Sequence, residues 1–201
     1  MPTTISRAVF IDFDGVLFDT VREVYAVSMI ALNRISRVID INLESEHFKK
    51  FNQLRYLVGP AWNYYYVMQA IENKSLNLTE DFESEFKNLL DQQAKGEHCS
   101  FEKIFFQVRQ QLREKEHDQW LSMVCPYNIV RGLHPIIKEF KEQFFLVTTR
   151  DRESVKDLLS LNDIDILDSN IFAKKEYELH NSKKQIIQNL VKKHHLSLIH
   201  I

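Results

Sequence analysis

The sequence has few of the residues that mark secreted, fibrous or disordered proteins. Its 201 residues include two cysteines, Cys99 and Cys125, with only four glycines and four prolines. Neither cysteine has a CxxC partner or a histidine at ligand spacing, which argues against a disulfide framework and a zinc site. We therefore expect both thiols to be reduced and to lie in the core. The low glycine and proline content argues against long disordered linkers.

The sequence also lacks long apolar runs and an excess of charge of either sign. No apolar run approaches the roughly 20 residues that span a bilayer, and the first residues do not resemble a signal peptide. The net charge is -2 and the lysines are spread along the chain, which disfavours binding to a polyanion. We therefore expect a cytoplasmic protein that binds neither nucleic acid nor membranes.

The spacing of apolar residues changes twice along the chain. Residues 7–12 form a short apolar run that ends in aspartate, as in a strand buried on both faces of a parallel sheet. From about residue 20 to residue 125 the apolar positions follow the helical period. Strands and helices alternate after Pro126. The predicted elements there are a helix, a strand at 144–147, a helix at 152–161, a strand at 170–173, a helix at 182–195 and a final apolar stretch, LSLIHI.

This order of elements predicts an α/β fold with an insertion. Residues 1–19 and 127–201 would form a core around a parallel sheet, and residues 20–126 would form an all-helical insert after the first strand. The 201 residues are enough for one large domain or for a domain with an insert. We expect the aromatic stretch from Trp62 to Gln69 to form part of the core of the insert, although it could instead line a substrate pocket.

Three aspartates, Asp12, Asp14 and Asp19, follow the first apolar run in the stretch AVFIDFDGVLFDT. A carboxylate attacks a phosphate ester only where a cation neutralises the charge of both. Mg²⁺ suits this role because it binds oxygen ligands and keeps several waters, so that few protein groups suffice. Asp12, at the carboxyl end of a strand, can be both nucleophile and metal ligand, and Asp14 can exchange protons with the leaving group and with water. Asp19 is more typical of a helix N-cap.

Three segments, in order along the chain, resemble the haloacid dehalogenase superfamily, in the branch with a helical cap after the first motif. Residues 12–20, DFDGVLFDT, match the family pattern DxDGxLxD. The segment FFLVTTR ends an apolar strand in Thr148, where the family has Thr or Ser. The segment SKKQIIQNL offers Lys183 or Lys184 near the start of a helix. Lys183 is preferred because apolar residues follow it at the third and fourth positions.

The resemblance implies a Rossmann-like core with a helical cap and a Mg²⁺-dependent phosphatase that forms an aspartyl-phosphate. The cap implies a small phosphorylated metabolite as substrate, because an insert of this size would exclude polymers. The resemblance also implies a role for each matching residue. Asp12 would be the nucleophile and a metal ligand, and Asp14 would be the acid/base and a metal ligand through its carbonyl. Thr148 would bind a phosphate oxygen, with Thr149 as the alternative for this role. Lys183 would neutralise negative charge, and Gly15 would let the chain turn beside the substrate.

Other functions remain open at this point. A sugar phosphomutase uses the same two aspartates, whereas a dehalogenase is disfavoured by the acid at Asp14. The family's fourth motif, Gly-Asp with another acid, normally follows a strand like LSLIHI, but the sequence ends at Ile201. We therefore also consider a shortened chain, or a catalytically impaired relative that acts as a binding or regulatory module. An unprotected edge strand at LSLIHI would favour a homodimer.

Overall fold

The computed structural model describes residues 7–72 and 97–194, together with Ser84 and Phe86. Contacts divide the chain into two compact units. Thr20–Val124 form one, which we call the helical unit. Met1–Asp19 and Cys125–Ile201 form the other, which we call the sheet unit. The sequence predicts the same kind of division, with boundaries at 19/20 and 126/127.

Helices account for the regular structure that is described in the helical unit. They are α1 (Val21–Ala31), α2 (Glu46–Leu54), α3 (Asn63–Glu72), α4 (Glu97–Lys115) and α5 (His117–Ser122), and Ser84 and Phe86 are also helical. Aromatic rings connect three of these helices, because Tyr64 stacks on both Phe51 and Phe105 with ring centroids 5.7 Å apart in each pair. Tyr64, Tyr66, Val67 and Met68 are buried. The aromatic stretch from Trp62 to Gln69 is thus core, as expected.

A buried ion pair joins α1 to α4. Arg109 Nε donates to Glu23 Oε1 at 2.7 Å, and Arg109 Nη2 donates to Oε2 at 3.2 Å. The indole Nε1 of Trp120, on α5, also donates to Glu23 Oε1 at 3.2 Å. The side chains of Arg109 and Glu23 are only 5% and 0% exposed. A carboxylate is tolerated at such depth only when charged and polar partners surround it, as they do here.

The sheet unit contains a small parallel sheet. The strands described in this unit, in chain order, are β1 (Val9–Ile11), β2 (Phe18–Asp19), β3 (Cys125–Pro126), β4 (Phe144–Val147) and β5 (Ile171–Phe172). Three of them form the parallel sheet. The sheet has the order β1-β4-β5, with Ile11 opposite Leu146 and Leu146 opposite Ile171. All four residues of β4 are buried, as a continuous apolar run in the middle of a parallel sheet requires. The predicted α/β class is confirmed at this level.

The remaining helices of the sheet unit are α6 (Asn128–Glu139), α7 (Arg152–Leu161), α8 (Lys174–His180) and α9 (Lys183–His194). α9 lies against the sheet, where Ile186 and Leu190 form a buried cluster with Phe145 and Val147 of β4.

The sequence predicted the strand at 144–147 and the helix at 152–161 with these bounds. The final stretch LSLIHI, and with it any edge strand, lies outside the described residues.

Two expectations about the start and end of the insert are wrong. β2 pairs with β3 in an antiparallel ribbon that places Asp19 opposite Cys125. Because this pairing keeps Asp19 in a strand, the N-cap of α1 is Thr20 and not Asp19. Cys125 is an exposed free thiol rather than a core residue, because the ribbon has only two strands. The side chain of Cys99 lies outside the described part of the chain.

Within residues 7–72 and 97–194, no helix combines the length and the apolar character that crossing a membrane requires.

Candidate active site

Asp12 lies immediately after β1, at the carboxyl end of the parallel sheet. Its Oδ1 accepts a hydrogen bond from the backbone N–H of Phe13 at 2.8 Å, which orients the carboxylate. Its Oδ2 accepts from Lys183 Nζ at 2.6 Å. The two side chains are 38% and 35% exposed, so this ion pair is open to solvent. A molecule arriving from solution can reach the carboxylate without unfolding any part of the sheet unit.

The packing of α9 explains why Lys183 reaches Asp12. Lys183, Ile186 and Leu190 follow the spacing i, i+3, i+7, which places them on one face of the helix. Burial of Ile186 and Leu190 against β4 therefore turns Lys183 toward the sheet. Lys184, one position further along the helix, is exposed.

The turn before α9 determines where this helix begins. Asn181 has a φ of 59°, in the left-handed region that asparagine tolerates, and so ends α8. Ser182 then caps α9, because its Oγ accepts a hydrogen bond from the backbone N–H of Gln185 at 3.1 Å. The first residue after this cap is Lys183.

Thr148 directly follows β4, the strand next to β1. The two strands are parallel, so Thr148 and Asp12 emerge at the same edge of the sheet. Thr148 is 1% exposed, and its Oγ1 accepts a hydrogen bond from the backbone N–H of Arg150 at 3.1 Å. A hydroxyl has one hydrogen and two lone pairs, so accepting this bond still lets Thr148 donate its own proton. Thr149 is half-buried.

Asp14 forms the second ion pair of this edge. Arg150 Nη1 donates to Asp14 Oδ1 at 2.9 Å, with Arg150 0% exposed and Asp14 25% exposed. The guanidinium carbon of Arg150 also lies 5.5 Å from the centroid of the buried Phe13 ring, within range of a cation–π contact. Asp14 is therefore held from the buried side by the arginine while part of it faces solvent.

Gly15 allows the chain to turn after the two aspartates. Its φ of 80° lies in the left-handed region, where a side chain would be strained. Its backbone N–H donates to the carbonyl of Phe18 at 2.8 Å, and the N–H of Phe18 donates back to the carbonyl of Phe13 at 3.2 Å. The rings of Phe13 and Phe18 stack with centroids 4.7 Å apart, and this contact holds the two ends of the turn together.

The structure thus brings the four expected catalytic residues to one edge of the sheet. They form two separate pairs, one in direct contact and one bridged by Arg150. Asp12 is paired with Lys183, and Arg150 contacts both Asp14 and Thr148. Sequence reasoning missed Arg150. The available signal was an arginine three residues after a wholly apolar strand, with an acidic cluster expected at the end of the neighbouring strand.

The residues at this edge supply oxygen atoms of the kind that Mg²⁺ binds. Each Asp12 oxygen accepts one hydrogen bond and has a second lone pair. The family resemblance adds the backbone carbonyl of Asp14, two residues later, as an expected ligand. Two such oxygens, with a phosphate oxygen and waters, complete an octahedral shell. Among the described residues, no group of three or more His, Cys, Asp or Glu side chains is placed to hold a metal. A metal here would therefore depend on substrate and water for its remaining ligands.

A cavity of about 620 Å³ lies elsewhere on the sheet unit. Its lining includes Ile164 and Ile166 from the loop before β5, Ile171 at the start of β5, and Lys138 on α6. These residues precede the strands to which they connect, so the cavity lies at the amino ends of β4 and β5. It is therefore separate from the edge that carries Asp12 and Thr148.

No protein-family model, curated protein or solved structure matches this chain. Any assignment of function therefore depends on the residues and contacts of the candidate site itself.

Proposed function

We propose that this chain is a Mg²⁺-dependent phosphatase of the haloacid dehalogenase type, acting on a small phosphorylated metabolite. The sheet unit would be its Rossmann-like core and the helical unit its cap. The observation that supports this function best is the solvent-open pair of Asp12 and Lys183 beside Thr148. A carboxylate next to a cation and a hydroxyl donor has the groups that phosphoryl transfer needs.

In the first step, an oxygen of Asp12 attacks phosphorus, and the bond between phosphorus and the ester oxygen breaks. Lys183 Nζ offsets the negative charge shared by the nucleophile and the phosphoryl group, and the Thr148 hydroxyl donates to a phosphoryl oxygen. Asp14 gives a proton to the departing oxygen, which leaves as an alcohol. The product on the protein is an aspartyl-phosphate at Asp12.

In the second step, water hydrolyses this intermediate. Asp14, now a carboxylate, takes a proton from the water as its oxygen attacks phosphorus. The bond between phosphorus and Asp12 then breaks, which releases inorganic phosphate and restores the Asp12 carboxylate.

Asp12, through its carboxylate, and Asp14, through its backbone carbonyl, are the residues that would hold Mg²⁺. When bound, the ion neutralises charge on the phosphate so that a carboxylate can approach it. This assignment gives each aspartate two tasks. Asp12 would use one oxygen for the metal and the other for phosphorus.

The test of this function is hydrolysis of 4-nitrophenyl phosphate in the presence of Mg²⁺. We expect Asp12→Asn to lose more than about a thousand-fold in kcat, because no other residue replaces the nucleophile. Asp165→Asn is the matched control, since Asp165 is an exposed aspartate of the same unit and contacts Lys141 rather than the site. Equal rates for the wild type and Asp12→Asn would show that Asp12 is not the nucleophile.

The same protein can be tested for transfer to an acceptor other than water. Incubation with sugar phosphates and Mg²⁺ should release inorganic phosphate if the chain is a phosphatase. Isomerisation of the sugar phosphate without release of phosphate would instead identify a phosphomutase, which would use the same Asp12 and Asp14.

A further inference from the structure

We propose that Arg150 is a positioning residue that fixes the orientation of Asp14 relative to Thr148 during phosphoryl transfer. This inference rests on the proposed function. Arg150 contacts one of these residues through its side chain and the other through its backbone. No expectation from the sequence gave it a role.

The contacts of Arg150 run in three directions. Its Nη1 donates to Asp14 Oδ1 at 2.9 Å, and its backbone N–H donates to Thr148 Oγ1 at 3.1 Å. Its carbonyl accepts from the backbone N–H of Lys174, at the start of α8, at 2.8 Å. The backbone of Arg150 is thus held at both ends, and the side chain extends from a fixed point.

Burial restricts the side chain of Arg150 further. It is 0% exposed, and its guanidinium lies against the ring of Phe13. Phe13 is the residue between Asp12 and Asp14 in the sequence. A guanidinium that is packed in this way has few other rotamers. Because a carboxylate is planar, binding one of its oxygens to a fixed donor also sets the direction of the other oxygen.

Stability alone is a weak explanation for this arrangement. Replacing a buried ion pair by apolar residues of similar size is often neutral or stabilising, because removing charges from water is costly. The pair also lies at the edge of the sheet beside the candidate nucleophile, and Asp14 remains 25% exposed. An arginine that only filled the core would not need to present a carboxylate to solvent.

The role in proton transfer gives a specific readout. The leaving group of phenyl phosphate is a poorer one than that of 4-nitrophenyl phosphate, so its departure depends more on a proton from Asp14. The two substrates are otherwise close in shape. The ratio of their kcat/KM values therefore measures how well Asp14 is aligned in the first step, independently of general losses of active protein.

The experiment compares Arg150→Met with Arg152→Met. Arg152 is a matched control because its contacts in the described part of the chain are with Asp168, Glu176 and the carbonyl of Ile171, which are not candidate catalytic residues. We expect Arg150→Met to lower kcat/KM for phenyl phosphate about tenfold more than for 4-nitrophenyl phosphate, with little change in KM. Arg152→Met should lower thermal stability and leave the ratio between the substrates unchanged.

Three results would decide the matter. An unchanged substrate ratio in folded Arg150→Met overturns the positioning role while leaving the phosphatase in place. Equal rates for wild type and Asp12→Asn overturn both proposals. Should circular dichroism show that Arg150→Met is unfolded, Arg150→Lys takes its place, because it keeps the charge but has no fork of donors. Its ratio should move in the same direction by a smaller factor, and an unchanged ratio overturns the inference.

Discussion

Each unit of the molecule contains a carboxylate paired with a cation, but the two kinds of pair differ in their exposure to water. In the helical unit, Glu23 and Arg109 are almost wholly buried. In the sheet unit, Asp12 and Lys183 are each more than one third exposed. The buried ion pair therefore joins two helices, whereas the exposed ion pair remains accessible to molecules in solution.

The hydrogen bonds of the two carboxylates explain this difference. Glu23 accepts from Arg109 on both oxygens and from Trp120 on one, so protein donors surround it. Asp12 accepts one hydrogen bond on each oxygen, from Phe13 and Lys183, and part of it faces solvent. Exposure, rather than the presence of an ion pair, is what distinguishes a candidate nucleophile from a structural acid in this chain.

The largest effect should come from breaking the buried pair. We expect Glu23→Gln to lower the free energy of unfolding by about 3–5 kcal/mol, because it leaves the charge of Arg109 buried without its counter-ion. Urea denaturation followed by tryptophan fluorescence measures this directly, since both tryptophans, Trp62 and Trp120, belong to the helical unit.

The control for this prediction is Glu114→Gln on the same helix as Arg109. Glu114 contacts Gln110 and Arg113 at the surface, with 47% of its side chain exposed. Its replacement should leave the urea midpoint nearly unchanged. Similar urea midpoints for Glu23→Gln and Glu114→Gln would show that the buried ion pair between α1 and α4 contributes no more to stability than the surface contacts of Glu114.

The open pair should show the opposite behaviour, with little effect on folding. We expect Lys183→Met to change the free energy of unfolding by less than about 1 kcal/mol, because both side chains are exposed and water screens their attraction. If the proposed function holds, the same variant should lose most of the phosphatase activity. Circular dichroism during urea denaturation measures the first quantity and the 4-nitrophenyl phosphate assay the second. A large loss of stability with full activity would assign this pair to structure instead.

The smallest effect concerns pH and the helical unit. Burial lowers the pKa of His47 below its ordinary value of 6.5, Glu72 opposes this shift, and Arg34 and Lys50 add to it. The folded state therefore favours neutral His47, which also lies 3.0 Å from the hydroxyl of Tyr25. Because the unfolded chain binds the proton more readily, this contribution to stability is present above pH 6.5 and declines as the pH falls below it.

The measurement is the urea midpoint from tryptophan fluorescence at pH values on either side of 6.5. His47→Gln retains a hydrogen-bonding partner for Tyr25 and should reduce the difference between the two midpoints. His134→Gln, in the sheet unit, is the comparison variant and should leave that difference as in the wild type. An unaltered difference in His47→Gln would mean that other groups cause the pH dependence.

Local patterns in the sequence predicted the parts of the site that depend on one element at a time. The apolar run before Asp12 predicted β1, and the apolar residues at the third and fourth positions after Lys183 favoured this lysine over Lys184. The family resemblance assigned Asp12 and Lys183 to one site although they are 171 positions apart, but two other distant pairs were not predicted. Arg150 and Asp14 are separated by 136 positions, and Glu23 and Arg109 by 86. Many charged residues could have filled either role, and only packing selects among them.

The ribbon of β2 and β3 has a practical consequence for the whole chain. Because Asp19 pairs with Cys125, the chain leaves the sheet unit and returns to it at neighbouring positions. A two-residue Asn-Gly turn joining these residues would close the ribbon into a hairpin without stretching either strand. The helical unit is thus inserted into the chain of the sheet unit at a single place, the open end of this ribbon.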